Sequence, residues 1–95
     1  MASVLEKQLA LAIDKRLAVF GPKAAAGDLL DDEMSLRSMA YIISELLQPC
    51  CCMLCNKQRL EELLSQTKAC AGQEELVRRL AVLVYDDLAR CNGLG

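Results

Sequence analysis

Apolar residues recur at three- and four-residue steps along most of this chain, and the pattern breaks at Gly and Pro. Leu5, Leu9, Ala12, Ile13, Leu17 and Phe20 fall on one stripe, the mark of an amphipathic helix. Ser3 and Glu6 have capping-box spacing at its start. Gly21-Pro22 predicts its end, because Gly can close a helix in the left-handed conformation and Pro cannot continue one. Residues 21–27 then read as a flexible connection.

Asp28 is a candidate N-cap for a second helix, with Asp31, Asp32 and Glu33 in its first turns, where the helix dipole favours negative charge. Leu36, Met39, Ala40, Ile43 and Leu47 form its inner stripe, and Pro49 predicts an end near Leu47 or Gln48. A third segment starts at Cys50 or after Asn56 and runs to Ala71, with Leu60, Leu63, Leu64, Thr67 and Ala71 inward. Gly72 closes it. The fourth opens at Gln73-Glu74-Glu75, carries Leu76, Val77, Leu80, Leu83, Val84 and Leu88, and stops at Asn92-Gly93.

The pattern predicts an all-α fold: a compact bundle of about four amphipathic helices, arranged as two helical hairpins in one domain over residues 1–95. The brief break at Gly72 makes the third and fourth helices antiparallel neighbours. Residues 36–47 also align without gaps on residues 77–88, an offset of 41 positions. Two amphipathic helices obeying the same packing rules account for the match. The alternative is a two-repeat fragment with HEAT/armadillo-like hairpin packing, whose repeat length the offset fits.

Composition narrows the function. Apolar residues make up 54% of the chain and aromatics only 3%, so the core is built from Leu, Ala, Val, Ile, Met and Cys. The net charge is −2 and the pI is about 5.0, and no concentrated basic surface is evident, which argues against nucleic-acid binding. No run approaches the roughly 18 apolar residues needed to span a membrane. No signal-peptide pattern opens the sequence, and cytoplasm or nucleus is the expected compartment, with thiols reduced.

Histidine is absent. That removes the usual general base near neutral pH and the Ser-His and Cys-His nucleophile pairs. The acidic neighbours Asp31–Asp32, Glu61–Glu62, Glu74–Glu75 and Asp86–Asp87 diverge by about 100° around a helix, so they read as surface charge. No phosphate loop is present. The expectation is a protein without enzymatic activity and without a cofactor.

The cysteines are the conspicuous chemistry. Cys50, Cys51, Cys52 and Cys55 lie within six positions, with Cys70 and Cys91 beyond them. Cys52 and Cys55 have chelating spacing, and with Cys70 and Cys91 they make a candidate four-thiolate metal or redox site. Palmitoylation is a further reading, though no polybasic or transmembrane flank accompanies it. The favoured reading treats them as small apolar residues. If the third helix extends back through the cluster, Met53 joins the inner stripe, and Cys51, Leu54 and Cys55 form an outward apolar patch.

The second helix has the same surplus, in Leu29, Leu30, Met34, Tyr41, Ile42 and Leu46, and the fourth adds Val82 and Tyr85. A helix apolar on more than one face is central in a bundle or covered by another chain. The candidate partner-binding residues are therefore Tyr41, Cys51, Leu54, Cys55, Val82 and Tyr85, and the expected partner is a protein or a second copy of this chain. A histone-fold-like dimer is a third reading, disfavoured by segment lengths that suit four helices better than one dominant central helix.

Overall fold

The structure, a computed structural model, describes residues 4–50 and 56–91, the side chains of 24–26, 50 and 91 excepted. Five α-helices account for most of it: α1 Val4–Arg16, α2 Gly21–Ala26, α3 Glu33–Leu47, α4 Lys57–Ser65 and α5 Glu74–Cys91. Short 3-10 turns occupy Ala18–Phe20, Leu29–Asp31 and Gln48–Cys50. No strand is present among the described residues.

Two helix starts are fixed by side chains. Asn56 Oδ1 accepts from the Gln58 N–H at 2.8 Å and so caps α4. Asp32 caps α3: its Oδ1 accepts from the Ser35 N–H at 3.1 Å, and its Oδ2 accepts from the Ser35 hydroxyl at 2.8 Å. The sequence pattern points to Asp28 for that cap. Asp28 instead precedes the 3-10 turn that drives Leu29 into the core, and its side chain makes no capping bond.

Other boundaries also moved. The first helix stops at Arg16 rather than at Gly21-Pro22. Leu17 takes a last bond to the Ile13 carbonyl at 2.8 Å and turns its own side chain inward. The expected flexible connection contains α2. Pro22 sits in its first turn, where the missing N–H is not needed. Gly27, with φ +75°, ends it in the left-handed region that favours glycine.

The third predicted helix is shorter than its apolar pattern. It ends at Ser65 because the chain tightens there: the N–H groups of Gln66 and Thr67 bond to the carbonyls of Leu63 and Leu64, both at 3.1 Å. The Thr67 hydroxyl donates to the Leu64 carbonyl at 2.7 Å, which lets this polar side chain lie fully buried. Cys70, not Ala71, is the next inward residue. Gly72, with φ +74°, then turns the chain into α5.

The helices pair as two hairpins, α1 with α3 and α4 with α5. Across the hairpins α1 also packs on α4 and α3 on α5, so the four close a ring in the order α1, α3, α5, α4. Ile13, Leu17, Leu29, Met39, Ile43, Leu47, Leu60, Leu63, Leu64, Leu76, Leu80 and Val84 fill the enclosed space. Leu30, Ile42 and Leu46, which looked like surplus apolar surface, pack against that core partly buried, and Leu29 is wholly inside it. No buried side-chain nitrogen or oxygen among the described residues lacks a hydrogen-bond partner.

The internal sequence match has a structural counterpart. Every aligned pair from Leu36/Val77 to Leu47/Leu88 is buried to the same degree except Ser44/Tyr85. The surface ion pair Arg37–Glu33 recurs 41 positions later as Arg78–Glu74. The correspondence ends there. A shift of 41 carries α4 onto residues 16–24, which hold the last residue of α1, a 3-10 turn and part of α2 rather than one helix. The likeness joins two neighbouring central helices and does not extend to two whole hairpins.

Candidate interaction surface

Tyr41 and Val82 occupy matched positions on the outer faces of α3 and α5. They are 60% and 44% exposed, although large apolar side chains gain by leaving water. Tyr41 borders a shallow groove between the two helices, lined by Ser44, Glu45 and Gln48 on one side and by Asp87 and Arg90 on the other. Ser44 is buried in the floor, and its hydroxyl donates to the Ala40 carbonyl at 2.7 Å. Asp87 pairs with Arg90 at 3.2 Å at the rim.

Tyr85 takes a different flank. Its ring packs partly buried against the core, and the Lys57 ammonium lies 5.4 Å from the ring centroid, within cation–π range. Asp87 and Tyr85 project about 160° apart around α5, two residues at 100° each. The Tyr41 groove and Tyr85 therefore lie on opposite sides of that helix, and Val82 stands between them on the outer face. Met34, one heptad before Tyr41, is 81% exposed and extends the outer stripe of α3. The same periodic pattern that marked Tyr41 also contains it.

Cys51, Leu54 and Cys55, predicted as an outward patch, lie outside the described residues, as does Cys52 of the candidate thiolate site. The side chain of Cys91 does too. Cys70 is buried within the turn that joins α4 to α5. Burial pushes its thiol above the ordinary value, a hydrogen bond with Thr67 acts the other way, and the nearby Asp14 charge adds to the rise. Such a thiol stays protonated at neutral pH, whereas a reactive thiolate is favoured where the value is lowered. Among the described residues no three Cys, His, Asp or Glu side chains cluster as metal ligands would.

No helix among the described residues is long and apolar enough to cross a membrane. No family model matches the chain, and neither the curated proteins nor the solved structures contain a significant match to it.

Proposed function

We propose that this chain is a non-enzymatic protein–protein interaction module that self-associates or docks a partner helix through an apolar helical surface. The observation that carries this reading is the contrast between a closed core and the exposed Met34 and Tyr41 on the outer face of α3, with Val82 exposed at the matched position of α5. Large apolar groups left in water at helical spacing mark surfaces that another chain covers. Aromatic residues such as Tyr41 are enriched at the centres of such surfaces. Cys51, Leu54, Cys55 and Tyr85 are proposed to extend the contact.

Native mass spectrometry under reducing conditions tests it. The expected result is a dimer or larger species of unmodified mass. Tyr41→Glu, Leu54→Glu, Val82→Glu and Tyr85→Glu should then lower the oligomer fraction while circular dichroism stays helical. A monomer carrying the mass of zinc would replace this reading with a thiolate site at Cys52, Cys55, Cys70 and Cys91. A bare monomer that captures no helical partner would remove it.

A further inference from the structure

Helix α1 is apolar on two faces, and the fold uses only one. Ala10, Ile13 and Leu17 are buried against the bundle. Val4 and Leu11, on the opposite face, are 73% and 61% exposed. They are seven residues apart. A seven-residue step drifts by only about 20° around a helix, so the two lie on one line along α1.

The charges beside this line are mostly basic. Lys7 and Lys15 each lie four residues from Leu11, about 40° to either side of it. Beyond Leu11 a groove opens between the end of α1 and the turn that follows α4, lined by Leu11, Lys15, Ala18, Lys68, Ala69 and Ala71. Asp14 is the one acidic group in it, and its Oδ1 accepts from the backbone N–H of Lys68 at 2.8 Å. The ammonium groups of Lys7, Lys15 and Lys68 pair with no carboxylate among the described residues. In a chain of net charge −2, an apolar face edged by Lys7, Lys15 and Lys68 against the one acid Asp14 is a local reversal of sign.

We infer that the outer face of α1 and this groove dock an acidic amphipathic helix of a partner protein. Its apolar residues sit along Val4, Leu11 and the alanines of the groove, and its carboxylates face Lys7, Lys15 and Lys68. The 13 residues of α1 run about 20 Å, the span of three to four turns of a facing helix. An apolar seam with complementary charge at its edges is how a helix is held and oriented in a groove. An anionic membrane shares the charge complement, but insertion requires a broader apolar face than Val4 and Leu11 supply. The inference rests on the chain being a docking module, and it adds a partner site on α1, separate from the exposed Tyr41 and Val82.

The test is a titration of the full 15N-labelled chain, followed by amide chemical shifts. One probe is a synthetic amphipathic helix with Leu at three- and four-residue steps and Glu between them. Its Lys-for-Glu counterpart and phosphatidylcholine/phosphatidylserine vesicles are the others. The Glu peptide is expected to shift amides along α1 and residues 68–71, more weakly as salt rises. The Lys peptide should not. Combined Lys15→Glu and Lys68→Glu should weaken binding about tenfold, as expected when two exposed attractions become repulsions. Both residues are exposed, and an unchanged circular dichroism spectrum would show that the variant folds. Equal binding by the variant, or α1 shifts with vesicles alone, would overturn the inference. Shifts at Met34, Tyr41 and Val82 without α1 would also overturn it and leave the module reading standing. Silence with every probe would overturn it too, and the oligomer measurement above decides the module reading separately.

Discussion

Asp14 in α1 accepts a hydrogen bond from the backbone N–H of Lys68 at 2.8 Å, joining residues 54 positions apart. The bond ties the first hairpin to the turn in the second. A charged acceptor on a backbone donor is among the stronger hydrogen bonds, but this one is open to water. Asp14→Ala should cost about 1 kcal/mol in urea unfolding. Asp14→Asn keeps an acceptor oxygen in place and should cost less than half of that. Equal losses would show that the carboxylate acts through charge alone.

Met39 and Leu80 are matched residues of α3 and α5, both fully buried. Truncating either to Ala should destabilise the fold by about 2–5 kcal/mol, the usual cost of a large core side chain plus the cavity left behind. The matched surface pair, Tyr41→Ala and Val82→Ala, should stay within about 0.5 kcal/mol of wild type. Chemical denaturation followed by circular dichroism measures all four. A surface variant as damaging as its core counterpart would contradict the burial pattern.

Asp32 sets the expected response to acid. Its hydrogen bond with the Lys23 ammonium, then those from the Ser35 N–H and hydroxyl, hold its carboxyl below the ordinary aspartate range. A carboxyl depressed on folding stabilises the folded state above its unfolded value, roughly pH 4, and that stability is lost as pH falls through the folded value. Asp32→Asn should therefore lower Tm at neutral pH and flatten its fall below roughly pH 4. Thermal melts across that range decide the point. Parallel acid limbs for wild type and variant would assign the fall to other groups.

Cys70 should be slow to alkylate in the native protein. The thiol is buried and its ionisation is raised, and both suppress the thiolate that reacts. Iodoacetamide labelling read by peptide mass spectrometry should show Cys70 modified far more slowly in buffer than in urea. Comparable rates would mean that the turn over Cys70 opens readily.

Much of the bundle is legible in one dimension. The inner stripes of α3 and α5 are long and strictly periodic, and each residue assigned to the α3 stripe is buried. Asn56 and Gly72 are readable because capping and left-handed turns depend on a few adjacent residues. The match between residues 36–47 and 77–88 anticipated two helices in equivalent surroundings. It did not anticipate that they would be direct neighbours, since periodicity specifies a face and not what covers it.

The remaining features depend on contacts between distant residues. A helix at 21–26 is unexpected where Gly and Pro punctuate the sequence, yet Lys23 ties it to Asp32 at the start of α3, and the turn that follows it is held by Leu29 in the core and by the Arg79 guanidinium on the Leu30 carbonyl at 3.3 Å. The early end of α4 follows from Thr67 and Cys70 turning under the core, which local propensity does not encode. Leu29 and Tyr41 look alike as surplus apolar residues in the sequence, and the structure buries one and exposes the other. The sequence alone determined the all-helical class and the inner stripe of α3. Tertiary structure decided which apolar faces the ring of helices covers, because coverage depends on where each helix lies relative to the others.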